Sequence, residues 1–308
     1  MESCQANEGD SPAPRRAAAA RERSVTEAAA PGWLAEVERH DPERYLTTLF
    51  APPARRLAQQ ALLAFNLEVA KTAELVSEPL IGQIRLQWWY ESLDGIYGGR
   101  PRHHEVVAAL GRAIGDHDLP REPFERLLEA RERDLESEPP ADLPALLDYA
   151  EATAGGLLGQ GLRVLAGPEE APEAALKAAL DVGTAWGLVG LLRAVPFHAR
   201  QKRLYLPADA LKAAAVDLGA LFELQGSPAL SGVVAEVASA AGQRLEAARA
   251  LRGSLPRRLR PALLSGALAQ AHLSRLSRAG HDPFDPRVGQ PLPGAAWRLM
   301  LSAWRGRY

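Results

Sequence analysis

By type, the side chains best suited to hold a charged ligand are three basic residues and one histidine. Arg193 and His198 lie about one helical turn apart, Arg203 follows shortly beyond, and Lys71 stands on a separate apolar stretch between Glu68 and Glu74. Lys71, Arg193 and Arg203 together could form a small anion or ligand site. Pairing of Arg193 and His198 with Glu68 or Glu74 is an equally good use of the same charges, because a charge taken out of water needs a partner. Other chemistry is harder to find. His103 and His104 are adjacent in a Pro/Gly-rich stretch, without the i,i+4 partner or cysteine spacing of a zinc site. No Gly-x-Ser-x-Gly elbow and no Walker-type loop occurs. Trp88 and Trp89 in "RLQWW" could stack on an isoprenoid or quinone ring, although the usual burial of tryptophan favours a place between helices.

The elements that must position these residues are helices. From Trp33 onward apolar residues recur at three and four positions, and convincing period-two runs of Val, Ile and Thr are missing. Pro/Gly punctuation separates helix-length segments: "APP" at 51–53, "GGRPRHH" at 98–104, "EPPADLP" at 138–144, "AGPEEAPE" at 166–173 and "LPAD" at 206–209. Connections this short predict an all-α bundle, with residues 31–308 as one domain. The glycines of "AGGLLGQGLRVLAG", residues 154–167, follow a helical pattern and miss the dinucleotide fingerprint, so they predict close helix packing. The charged window "FERLLEARERDLESE" reads as a solvated helix face with i,i+4 pairs and Leu127, Leu128 and Leu135 on the other side.

The 308 residues carry 47% hydrophobic and 24% charged side chains, enough for a sizeable core, and a formal net charge of −2. That balance excludes nucleic-acid binding through bulk charge. Charges such as Arg163 and Arg193 interrupt every run that approaches the ~18 apolar residues of a membrane-spanning helix, which predicts a soluble or peripheral protein. Cys4, the only cysteine, allows no intrachain disulfide, fits a reducing compartment and reads as an incidental tail residue. Residues 1–30 read as a disordered leader: they lack the apolar stretch of a secretory signal, and Glu2, Glu8 and Asp10 sit badly with a transit peptide. In "AAWRLMLSAWRGRY", Trp297, Met300, Leu301 and Trp304 keep helical spacing beside Arg298, Arg305 and Arg307. Docking of this stripe onto the bundle is the expectation, with membrane-surface contact as the alternative.

Three ordered blocks make the reading specific. "LLAFNLEVAKTAELVSEPLIGQIRLQWWYESLDGIYGG", "YAEATAGGLLGQGLRVLAG" and "GTAWGLVGLLRAVPFHARQKRLYLP" resemble the squalene/phytoene synthase family over most of residues 40–305. The resemblance implies a terpenoid-synthase-like helical bundle in which two helices face each other across an apolar cavity and each presents aspartates one turn apart. Their carboxylates hold the Mg²⁺ ions that neutralise a prenyl diphosphate leaving group. Here the first motif falls on Ala70, Lys71 and Glu74, and the second on Gly190, Ala194 and His198. One carboxylate remains, and Lys71 puts a positive charge where an acid is expected. Loss of even a supporting partner commonly costs ~10–100-fold in metal affinity or activity, so this donor set predicts no metal and no catalytic residue. Pro196 should also end or kink the second helix between Ala194 and His198.

The same degeneracy, with the "FN", "SEP" and "LRA-P-H" arrangements, is similar to a branch of the family that serves respiratory complex I assembly. That resemblance implies a pseudoenzyme acting as an assembly factor for NADH:quinone oxidoreductase. It would take a complex I subunit or assembly intermediate as partner, need no cofactor, and work in the cytoplasm or peripherally at the inner membrane, on the matrix side in a eukaryote. The alternatives are a Mg²⁺-dependent head-to-head prenyltransferase, or a carrier whose cavity binds an isoprenoid or quinone. A pair of facing carboxylate clusters would favour the first and an open apolar cavity the second.

Overall fold

The computed structural model describes residues 31–75, 78–136, 138–167 and 169–308, so the expected leader at 1–30, with Cys4, lies outside the described residues. Among the described residues the α-helices of seven residues or more are α1 (Gly32–His40), α2 (Pro42–Thr48), α3 (Pro53–Ala70), α4 (Pro79–Tyr97), α5 (Glu105–His117) and α6 (Glu122–Glu132). They continue as α7 (Leu143–Ala150), α8 (Gly156–Ala166), α9 (Glu173–Arg193), α10 (Pro228–Ala250), α11 (Ser265–Arg278) and α12 (Ala295–Trp304). No strand occurs among the described residues, so the fold is all-α.

Local chemistry explains where helices begin. Asp41, Asp142 and Ser227 each accept a hydrogen bond from the free N–H three residues on, at the starts of α2, α7 and α10. A proline stands at the first or second position after each cap, where the missing N–H costs nothing and the fixed φ suits the first turn. α9 is apolar nearly all round, with Ala175, Ala178, Ala179, Val182, Ala185, Leu188, Val189 and Leu192 buried. Its length and composition would suit a membrane span, but two-thirds of its apolar window is buried in the bundle, and a helix enclosed on all sides needs that composition for packing alone.

Two apolar cores share α8. One surrounds α9 and α10; the other gathers α3, α4, α5 and α6 around Phe65, Trp89, Leu110 and Phe124. α8 gives Leu162 and Leu165 to the first and Leu157 and Val164 to the second, which ties the halves together. The chain reaches α8 through a π-helical turn, Glu151–Gly155, that crosses α9. At Gly183 a Cβ would come within 2.5 Å of the Ala154 carbonyl oxygen, so the crossing is possible only for glycine. A third, small cluster of Leu264, Leu268, Leu292 and Leu299 seats α12 on α11.

Candidate functional site

α3 and α9 face a common space. Gln59, Leu62 and Leu63 of α3 line it from one side and Gly183 and Trp186 of α9 from the other, with Ala154, Leu157 and Leu158 between them. Its volume is about 40 Å³. A small-molecule pocket typically encloses ~300–1,000 Å³, so leucine side chains and the Trp186 indole occupy the space in which a long apolar ligand would lie. None of the six degenerate motif positions lines this cavity.

Those positions sit at the far ends of the two helices. Ala70 is the last residue of α3, half-buried, and Lys71 caps the helix with its Nζ 3.2 Å from Glu36 Oε2 of α1. Glu74 is exposed on the following turn. Gly190 is half-buried, and an added Cβ there would meet nothing within 4 Å. α9 ends at Arg193, Ala194 forms its C-cap, and a short helix, Val195–Arg200, restarts with Pro196 in its first turn. Pro196 therefore breaks the helix where its ring and missing N–H require it to.

The expected anion site does not assemble, because each cation is held by a different element. Lys71 is turned to Glu36 on α1. Arg193 bonds Glu43 of α2 at 3.0 Å, not Glu68 or Glu74. Arg203 donates to the Asp134 carbonyl oxygen at 3.1 Å. Two buried polar knots result, both missed by the sequence reading.

The first knot is centred on Glu43, only 6% exposed. Its carboxylate accepts from Arg193, from His272 Nε2 of α11 at 2.9 Å, and from the Leu292 backbone N–H at 3.0 Å. Burial by itself would raise the Glu43 carboxyl, but the His272 hydrogen bond and the Arg193 charge prevail and bring it down to about 2. Burial pushes the His272 imidazole below its ordinary value, against the pull of Glu43. This knot fastens α2 to α9 and α11. Only the spacing of an acid in a helix's first turn marked Glu43 in the sequence, and its partner His272 lies 229 residues away.

The second knot is centred on Asp134, 4% exposed, which follows α6 in a single 3₁₀ turn. Tyr149 and Tyr205 donate to its Oδ1 at 2.8 and 2.9 Å, and Arg131 donates to Oδ2 at 2.9 Å. The charged window 124–138 is thus a solvated face only in part: Arg121–Glu125 and Arg126–Glu122 form the exposed i,i+4 pairs, while Arg131 and Asp134 turn inward. His198 joins this knot, its ring centroid 4.5 Å from that of Tyr205 and its Nδ1 without a hydrogen-bond partner. Burial pushes its imidazole down to about 4, with Asp134 pulling the other way. Trp88 and Trp89 divide their roles: Trp89 is buried edge-on against Phe65 at 5.2 Å, while Trp88 is half-exposed beneath the Arg102 guanidinium.

The donor set can be tested directly against Mg²⁺, which takes hard oxygen ligands in near-octahedral geometry. Alanine, glycine and alanine offer no side-chain oxygen, Lys71 is a cation already paired, and His198 presents a nitrogen inside the Asp134 knot. Among the described residues no three acidic, histidine or cysteine side chains gather as a metal site. The motif residues do not fit Mg²⁺.

The sequence profile of squalene/phytoene synthase matches residues 37–305. The chain belongs to the squalene/phytoene synthase family. It is similar to NADH dehydrogenase (ubiquinone) complex I, assembly factor 6, of Mus musculus, with 31% identity over 93% of this chain and 87% of that protein. The Homo sapiens protein of the same name is 30% identical over the same shares. A chloroplastic phytoene synthase 3 of Zea mays is 31% identical, but over 55% of this chain and 40% of that protein. Among solved structures, a dehydrosqualene synthase superposes with a TM-score of 0.76 at 19% identity, covering 89% of this chain and 94% of that one. A squalene synthase from Alicyclobacillus acidocaldarius gives 0.70 at 21% identity over 80% and 92%. These two likenesses establish a family fold of the terpenoid-synthase type.

Proposed function

We propose that this protein supports the assembly of respiratory complex I through contacts with a maturing subunit or assembly intermediate, and that it carries out no prenyl transfer. The observation that carries this reading is the pairing at the two motif ends. Lys71 is neutralised by Glu36, Arg193 by Glu43, and His198 is drawn into the Asp134 knot. Charges already satisfied within the fold are poor partners for a diphosphate, since binding it would require breaking the internal pairs. The full-length similarity to mouse and human assembly factors supports the same reading, whereas the similarity to phytoene synthase covers about half the chain. The space between α3 and α9, about 40 Å³, is too small to hold an isoprenoid or quinone. The working location would be the membrane face at which complex I is built: the mitochondrial inner membrane for a eukaryotic protein, the cytoplasmic side in a bacterium.

Deletion of the gene tests the proposal. Membrane NADH oxidation and assembled NADH:quinone oxidoreductase should fall while carotenoid, hopanoid and sterol pools stay unchanged. Normal NADH oxidation with a missing triterpene or carotenoid would overturn it.

A further inference from the structure

The outer face of α12 has the reverse of the character expected from its sequence. Trp297 is 75% exposed and Trp304 81%, with Met300 and Leu301 at 46% each. These four occupy i, i+3, i+4 and i+7, a single stripe along the helix. The helix is seated by the opposite side, through Leu299 at 0% exposure and half-buried Ala295 and Ala303. It is fixed at both ends as well: Leu292 is buried before it, and after it Tyr308 is buried with its hydroxyl donating to the Ala248 carbonyl at 3.0 Å. The stripe is therefore a rigidly held surface and not a loose tail.

Charge surrounds it on one sign only. Arg298 and Arg305 flank the stripe along one edge of the helix. Beyond them Arg252, Arg257, Arg260, Arg305 and Arg307 line a cleft of about 280 Å³ that Trp304 borders, and that lining contains no acidic side chain. Among the described residues none of these arginines, nor Arg298, has an ion-pair partner, in contrast to Lys71 and Arg193. The sequence is biased in the same way: residues 247–308 hold eleven arginines and two aspartates, although the whole chain is slightly acidic.

We infer that the outer face of α12 is a docking surface for an anionic phospholipid bilayer, with Trp297, Met300, Leu301 and Trp304 entering the headgroup–acyl boundary and the surrounding arginines meeting lipid phosphates. Tryptophan suits that depth because its ring is apolar and its N–H is polar. Guanidinium groups match phosphate geometry and are more weakly hydrated than ammonium. An amphipathic helix with such a face lies in the plane of the interface, and its binding scales with buried apolar area plus attraction to anionic lipid. A protein partner would have to match a ring of unpaired cations around two tryptophans; a bilayer surface rich in phosphate does so without shape complementarity. The inference stands apart from the assembly proposal, since it concerns what this face touches whatever the protein's task.

Flotation of the full chain with phosphatidylcholine vesicles, and with vesicles containing phosphatidylglycerol, tests it. The protein should float with the anionic vesicles, remain largely unbound with neutral ones, and lose binding as salt rises. Trp297→Ala/Trp304→Ala should weaken binding by roughly tenfold or more while circular dichroism and the unfolding midpoint stay at their original values. Arg298→Glu/Arg305→Glu should weaken it by a similar factor, on anionic vesicles alone. Failure of the unaltered chain to float with anionic vesicles would overturn the inference. So would binding that neither double variant changes, and so would sedimentation showing that the tryptophan pair instead holds two copies of this chain together.

Discussion

The space between α3 and α9 and the outer face of α12 treat charge and apolar surface in opposite ways. Inside, Trp186 and four leucines fill the cavity, and Lys71, Arg193 and Arg203 are each matched by an internal acceptor. Outside, two tryptophans stand exposed and a group of arginines has no acidic partner among the described residues. Folding stability accounts for the first arrangement completely. It does not account for the second, because exposed tryptophan contributes little to a folded monomer and a like-charged cluster repels itself. In this member of the family the interior behaves as structure, and the surface proposed to bind lies outside it.

Five substitutions sharpen that contrast, and their effects on stability should descend in order. Glu43→Ala should cost most, about 3–5 kcal/mol in urea unfolding, because it leaves Arg193 without its anion and the buried Leu292 N–H without an acceptor. Trp186→Ala should cost about 3 kcal/mol and open the cavity, which an apolar probe dye could then enter; a cost near zero would mean that the indole is not part of the packing.

The third effect is a pH dependence. His198 is held down at about 4, against an ordinary value of 6.5, so between those pH values the unfolded chain binds a proton that the folded chain refuses. Stability is then complete above about pH 6.5 and falls as the pH drops towards 4. Allowing for its partial exposure, the loss is about 2 kcal/mol. Glu43, also depressed, adds its own loss as the pH falls from its ordinary value of 4.5 towards about 2, where the unfolded chain takes up a proton that the folded carboxylate refuses. His198→Phe, which keeps an aromatic ring beside Tyr205, should reduce the slope of the profile between pH 6.5 and 4, leaving the part that buried His272 contributes; an unchanged slope would place the titrating group elsewhere. Smallest of all, Trp297→Ala and Trp304→Ala should each shift stability by less than about 0.5 kcal/mol, as exposed positions do, although together they abolish most vesicle binding.

How far the sequence could be read follows from the range of the interactions involved. The helical class was legible because periodicity and Pro/Gly punctuation are local, and the chain turns at 51–53, 98–104 and 138–144 much as they require. Close packing of the glycine-rich stretch was legible too, and Gly155 and Gly183 make that contact. The two polar knots were not. Asp134 stands in a run of alternating charge that resembles a wet helix face, and nothing local distinguishes it from Glu132 or Glu136; only Tyr149 and Tyr205, brought in by the fold, make it a buried acceptor. Arg193 could be recognised as a charge in need of a partner, but the choice of Glu43 over Glu68 or Glu74 depends on where α2 lies against α9 and α11. In α12 the apolar stripe was legible and its direction was not. Helical spacing says which residues share a face, and Leu299 with Tyr308 decides which face is covered.

The central claim is that the protein works by contact and not by metal-dependent prenyl transfer, and Glu74 tests it most directly. It is the one carboxylate left at the two motifs, and it is exposed, so its removal should leave the fold intact. The measurement is assembled NADH:quinone oxidoreductase, together with isoprenoid lipids, in a deletion strain carrying either the unaltered gene or Glu74→Ala. The account predicts that both copies restore the complex equally and that lipid profiles never change. A Glu74→Ala copy that fails to rescue while an isoprenoid product disappears would contradict it.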